Sequence, residues 1–316
     1  MEYQKPRIEF YRQRTFSEKL NATFDFIREN WKPLLKYSFY LIMPICLVQT
    51  FAINSFLGNY ISLLSSTNGR LFDYSLGNSL FNFLASYGIM MFCVFIGTAI
   101  LSAMIFAMMQ TYAVRENRLQ DITLNDFKDK LIKNIWKYVV IFIILVIEYI
   151  FIAFFTVFIG AIVVLISSFL ASLLIIAVMI CVIPLMMIIP VYIFERDISI
   201  IDAVKKAWIL GAKTIWSMIG LLIILYIIAG IIQTVTMMPW YLALVGGSIF
   251  SISTDAALTN SVTYKFALYL LGLIQAFGMY VSMIIGIIGL AFQYFHAREK
   301  VEGVTIESNI SKFDEL

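Results

Sequence analysis

The sequence predicts an all-α integral membrane protein: six transmembrane helices as three parallel two-span repeats, each preceded by a cytoplasmic interfacial amphipathic helix. Three observations predict it. The 316-residue chain is 61% hydrophobic and only 14% charged, with a mean hydropathy of +0.89, far from the composition of soluble domains. Apolar runs of ~20 residues, the length that crosses a bilayer, recur along it. One pattern also occurs three times in the same order: a helix-start signal, an amphipathic stretch, a tryptophan, and two apolar segments that end in charge.

The first copy begins at Thr15–Glu18, a capping box in which the cap and third helical residues bond each other's backbone. Phe16, Leu20, Phe24, Ile27 and Trp31 come next at helical spacing, with Lys19, Asp25 and Arg28 opposite. Spans are expected near 37–57 and 83–113, and the copy closes at Arg115-Glu116. The first apolar run comes after a long charged segment, unlike the core of a signal peptide, and reads as a retained helix.

The second copy starts at Thr123–Asp126. It carries Leu124, Phe127, Leu131 and Ile135 on one face and Lys128, Asp129 and Lys133 on the other, and then Trp136. The 57 residues Tyr138–Phe194 hold one charge, Glu148. They are too many for one span and predict two, near 138–163 and 167–194, turning at Ser167-Ser168 or at Gly160. Pro184 and Pro190 break the second of them, because proline removes a backbone donor.

The third copy starts at Ser199–Asp202. Ile201, Val204, Trp208, Ala212 and Ile215 oppose Asp202, Lys205, Lys206 and Lys213, and Trp216 leads into spans near 216–238 and 266–296. The repeat units run over 15–116, 123–196 and 199–299 of a single membrane domain spanning 1–316, leaving 300–316 as a polar cytoplasmic tail. Helices of this pattern lie in the headgroup plane, and tryptophan prefers that interface.

Charge sets the orientation. Residues 1–36 hold eight Lys or Arg, 114–137 six, 195–213 four and the tail from 297 three, against only Arg70 and Lys265 elsewhere. Basic loops stay inside, so both termini and all three amphipathic stretches are expected to be cytoplasmic. Each copy holds two spans, so the copies share one orientation and form a pseudo-threefold set about the membrane normal. The exits also align: Gln110-Thr-Tyr-Ala-Val-Arg115-Glu116 with Gln293-Tyr-Phe-His-Ala-Arg298-Glu299, and less closely Pro190-Val-Tyr-Ile-Phe-Glu195-Arg196, where the charge order is reversed.

Chemistry is sparse. A single histidine, His296, excludes multi-histidine metal sites, and it reads as a helix-end residue suited to a partial positive charge. Cys46, Cys93 and Cys181 lie in apolar segments with no metal spacing. No P-loop, dinucleotide fingerprint or Gly-x-Ser-x-Gly occurs, so neither catalysis nor a cofactor is expected. The net charge of +3 gives no reason to expect nucleic acid; the expected partners are membrane lipids and other membrane proteins.

Glu148 is the candidate intramembrane functional residue. It lies about ten residues into its span, ~15 Å deep at ~1.5 Å per residue, where an acid costs roughly 2.5–3.5 kcal/mol. Two readings stand: a functional one, as a proton or cation site or a contact for a polar lipid group, and a structural hydrogen bond to an amide such as Asn54, Gln233 or Gln275. Lys205, Lys206 and Lys213 are the candidate lipid-headgroup contacts, each worth roughly 1 kcal/mol near an anionic surface.

Three two-span repeats also describe mitochondrial carriers, but the charged motif of their odd helices is missing after Pro44. A closer resemblance lies in Ile189-Pro190-Val-Tyr-Ile-Phe-Glu195 and then Asp202-Ala203-Val-Lys-Lys-Ala207-Trp208-Ile-Leu-Gly211. This stretch resembles the bacterial six-span integral membrane domain that accompanies glycerophosphodiester phosphodiesterases, together with related six-span proteins. The resemblance implies a bacterial inner-membrane location and no hydrolysis, since the catalytic barrel is absent. The expected function is therefore non-enzymatic: lipid-associated, or accessory to envelope physiology. The alternative is a secondary transporter using Glu148.

Overall fold

A computed structural model describes residues 6–66, 74–195, 197–253 and 261–305. Among them every regular element is helical: α1 (Phe16–Ser66), α2 (Tyr74–Val114), α3 (Leu124–Ile166), α4 (Ser168–Val182), a 3-10 segment (Ile183–Met187), α5 (Ile188–Phe194), α6 (Ile200–Lys213), α7 (Ile215–Ser253) and α8 (Val262–Glu302). Six stretches are long and apolar enough to cross a membrane, within α1, α2, α3, α4 to α5, α7 and α8. The chain is thus a multi-pass α-helical membrane protein; five of the expected spans lie within single longer helices, and the fourth runs through α4, the 3-10 segment and α5.

All three start signals form side-chain caps, and the first closes in both directions, since Glu18 N also donates to Thr15 Oγ1 at 3.4 Å. The Glu18 carboxylate accepts from Thr15 N at 2.7 Å and Thr15 Oγ1 at 2.9 Å. The Asp126 carboxylate accepts from Thr123 N at 2.7 Å. Asp202 N donates to Ser199 Oγ at 3.2 Å while Ser199 Oγ donates to the Asp202 carboxylate at 2.6 Å.

Beyond these starts the three stretches differ. Asn30 has non-helical torsions (φ −116°, ψ 18°) that divide α1 just before Trp31. Thr214 has nearly the same torsions (φ −125°, ψ 19°) between α6 and α7. The second copy has no such joint, and α3 runs unbroken from Leu124 through Trp136 to Ile166. Its lead is the first turns of the span rather than a separate helix. The turn between α3 and α4 is the single extended residue Ser167 (φ −163°, ψ 127°), and Gly160 is interior to α3.

The chain divides into two compact units, each described by itself. The first comprises Met1–Trp31, Ala103–Leu225 and Ile285–Leu316. In it the fourth span abandons α-helix for 3-10 at Ile183–Met187, where Pro184 stands, and α6 packs on that segment. Ala203, Ala207, Leu210 and Gly211 form the buried face of α6. A Cβ added to Gly211 would stand 2.6 Å from Pro184 Cα, so only glycine admits this approach. The small residues of the Ala-x-x-x-Ala-Trp stretch are therefore a packing seam.

The second unit comprises Lys32–Ser102 and Tyr226–Ile284. Without a hydrophobic drive between helices in lipid, close packing and hydrogen bonds hold them together. Tyr280 lies fully buried across Gly97, where any Cβ would overlap its ring, and its hydroxyl donates to Gln49 Oε1 at 2.5 Å. Gly278 similarly accommodates Thr236.

The amphipathic faces depart from the sequence expectation at Lys19 and in the second stretch. In the first copy the apolar stripe faces outward (Phe16 and Phe24 exposed), while Lys19, Ala22, Thr23, Phe26 and Asn30 form the buried face. Lys19, assigned to the polar side, has no exposed surface. In the second copy Phe127 and Leu131 pack inward, and in the third Ile201 and Trp208 are exposed. One sequence pattern thus serves two roles, because period 3.6 identifies a face and not what it meets. The tryptophans agree: Trp31, Trp136 and Trp216 are 51%, 68% and 80% exposed.

Candidate functional site

The charges that close the second and third copies meet in the first unit. Glu195, just after α5, lies 2.9 Å from Lys206 Nζ of α6 and 3.7 Å from Arg298 Nε of α8. Lys206 Nζ also reaches Glu302 at 2.7 Å, and Arg298 Nε binds the same carboxylate at 2.9 Å. Tyr294 Oη donates to Glu195 at 3.2 Å, and Arg298 donates to the hydroxyls of Tyr11 and Tyr294. Burial pushes the Tyr11 phenol above its ordinary range, opposed by the adjacent Arg298 charge. The reversed charge order at Glu195-Arg196 is thus a complement: it sets an acid opposite Arg298.

This cluster separates the three candidate lysines. Lys206 is held by two carboxylates and is not free for a headgroup, whereas Lys205 and Lys213 are exposed. Lys205 stands in the wall of a groove of about 890 Å³ bounded by α3, α4 and α6. Phe151, Phe155 and Ile159 supply one side, Leu174, Val178 and Cys181 another, and Val204, Trp208 and Ile209 the α6 end. Apart from Lys205 and Thr156 the lining is apolar or aromatic, with the Cys181 thiol also in the wall. The groove arises because α6, seated on the 3-10 segment by its small-residue face, turns Val204, Lys205 and Trp208 toward the α3–α4 hairpin.

Glu148 belongs to α3, but its side chain lies outside the described residues. The three amides considered for it fall in the second unit. Asn54 Oδ1 accepts from Trp240 Nε1 at 3.4 Å, Gln233 Oε1 accepts from Ser282 at 3.3 Å, and Gln275 Oε1 is buried with no partner among the described residues.

The sequence reading missed the buried polar centre of the first unit. Lys19 Nζ donates to Gln293 Oε1 at 2.6 Å and to Ser217 Oγ, and Gln293 Nε2 donates to Thr214 Oγ1 at 3.2 Å. Beside it His296 is buried, and its Nδ1 accepts from Arg14 N at 3.0 Å. An accepting Nδ1 leaves the ring proton on Nε2, so His296 serves as a neutral acceptor rather than a positive helix end. A signal was present: Lys19, Thr23, Phe26 and Asn30 repeat at helical spacing as a second stripe beside the apolar one. Among the described residues no group of His, Cys, Asp or Glu could hold a metal ion.

No family model, curated protein or solved structure matches the chain.

Proposed function

We propose that the protein is a non-enzymatic, lipid-holding protein of the bacterial cytoplasmic membrane. The observation that carries this reading is the apolar groove between α3, α4 and α6, with Lys205 and Trp208 at its α6 end. An acyl chain suits walls of Phe, Leu, Ile and Val. An anionic headgroup suits an exposed ammonium beside an indole, the pairing favoured at the membrane interface. Lys213 adds a second exposed ammonium at the end of α6, while Lys206 serves the fold.

The reading includes three parallel copies whose lead segments lie at the cytoplasmic interface. Supporting it are the three side-chain-capped helix starts, the shared torsions of Asn30 and Thr214, and the outward tryptophans. Two aligned exit glutamines also make matching contacts two residues before the tryptophan: Gln110 accepts from Asn134 at 3.3 Å, and Gln293 donates to Thr214 at 3.2 Å. The likeness of 189–211 to a membrane domain that accompanies phospholipid-related hydrolases agrees with an envelope role.

The test is photo-crosslinking with an anionic phospholipid carrying a diazirine in its acyl chain, in native membranes. Adducts on Phe155, Val178 or Trp208 peptides are expected. Labelling confined to other helices would overturn the assignment.

A further inference from the structure

The first unit holds a second cavity, of different character. It is a chamber of about 300 Å³ lined on one side by Lys130, Lys133, Asn134 and Lys137 of α3. Facing these are Gln110, Glu195 and a wall of aromatic rings. Phe10 stacks on Phe295 with centroids 5.0 Å apart and planes 7° apart, and Phe194 meets Phe295 at 4.8 Å. The wall is therefore packed in advance of any occupant.

The lysines fall at i, i+3 and i+7, so one helix face presents all three within ~10.5 Å of axial rise at ~1.5 Å per residue. Lys130 Nζ donates to Gln110 O at 3.4 Å and Thr111 Oγ1 at 3.1 Å. Lys137 Nζ donates to the carbonyls of Tyr192 and Glu195. An ammonium has three donors, so each keeps one uncommitted. Lys133 is exposed and has no acceptor among the described residues. The one acid in the lining, Glu195, is already paired with Lys206 and Arg298, Asp197 acts on Lys137 from beyond the lining, and the Tyr11 phenol accepts from Arg298. Asn134 Nδ2 donates to Gln110 Oε1 at 3.3 Å, and Gln110 Nε2 donates to Ile193 O at 3.2 Å. What remains is an excess of ammonium donors over acceptors beside an apolar wall.

We infer that this chamber binds a phosphate monoester, with the phosphate on Lys130, Lys133 and Lys137 and an apolar or aromatic ester group against Phe10, Phe194 and Phe295. A monoester carries close to two charges at neutral pH and three acceptor oxygens, which matches three ammoniums lining one chamber from one helix face better than a single carboxylate does. The volume is at the low end for small-ligand sites and admits one small organic phosphate or one lipid headgroup. The inference stands apart from the acyl groove, since the two cavities share no lining residue.

The experiment uses the full chain in nanodiscs of phosphatidylcholine. Phenyl phosphate is titrated calorimetrically, and in a second arm phosphatidic acid is added to the nanodisc and retention is read by native mass spectrometry. Lys133→Glu and Lys133→Gln are compared with the wild type and with Lys265→Glu, which lies outside the chamber. The expected result is saturable binding in at least one arm, weakened about tenfold or more by Lys133→Glu and less by Lys133→Gln, with the ligand-free melting temperature unchanged. Binding of phenyl phosphate identifies a soluble ligand class, and retention of phosphatidic acid alone identifies a lipid headgroup. Binding in neither arm, or binding that Lys133→Glu and Lys265→Glu change equally, overturns the inference.

Discussion

Asn30 and Thr214 bear the same broken backbone, and each turns its side chain back to close the break. Asn30 Nδ2 donates to Phe26 O at 2.9 Å, and Thr214 Oγ1 donates to Leu210 O at 2.8 Å. A carbonyl released where a helix ends needs a donor, and these side chains provide one. Thr214→Ala loses that bond and the acceptor for Gln293, and should cost about 1–2 kcal/mol. Thr234, which makes the same backbone bond from an exposed site, should tolerate alanine. Thermal melts of both variants in detergent check the contrast; equal losses would contradict it.

The Lys19–Gln293 bond predicts non-additivity. Gln293→Leu takes one of its two acceptors from the buried ammonium and the donor from Thr214 Oγ1, a loss of about 1–3 kcal/mol. Removing the ammonium as well, in Lys19→Met with Gln293→Leu, should recover part of that loss, because an under-paired buried charge is the costly element. A double-mutant cycle by denaturation reads the coupling. Strict additivity would show that the two side chains do not share one network.

Gly211→Ala places a methyl against the Pro184 backbone and should destabilise by about 1–3 kcal/mol through overpacking. Gly230→Ala meets nothing within 4 Å and should be neutral or slightly stabilising. The measurement is the melting temperature of each purified variant.

Lys205 and Lys206 are sequence neighbours with opposite predicted phenotypes. Lys205→Gln should lower co-purifying anionic lipid and leave the melting temperature unchanged. Lys206→Gln should do the reverse, costing about 1 kcal/mol after allowance for its partial exposure, because Glu195 and Glu302 lose a shared cation. Lipid extraction and melting curves on the same preparations separate them.

The orientation has its own test. In a background lacking Cys46, Cys93 and Cys181, Asn125→Cys should react with an impermeant maleimide only after the membrane is opened. Val262→Cys, 84% exposed at the start of α8, should react in intact cells. The opposite pattern would reverse the topology argued from basic residues.

Much of the fold was legible because membrane helices announce themselves by length and apolarity. The spans, the start signals and the break at Pro184 all arise from local chemistry. The turn at Ser167 rather than Gly160 fits Ser167's role as the extended cap before α4, while Gly160 stays inside α3 with open space beside it. The burial of Lys19 was not legible, since a lysine among Asp25 and Arg28 looks like surface until Ser217 and Gln293 arrive from distant segments. The pairing of Lys206 with Glu195 and Glu302 was hidden for the same reason. The groove depends on where α6 sits, which the Ala203, Ala207 and Gly211 spacing hints at but does not position.

The central claim is that the groove between α3, α4 and α6 holds a lipid chain. Native mass spectrometry of the wild type and of Val178→Trp, which fills the groove without touching Lys205, tests it directly. Retained anionic lipid on the wild type and its loss from Val178→Trp, with unchanged melting, is the predicted result. Equal retention by both proteins would contradict it.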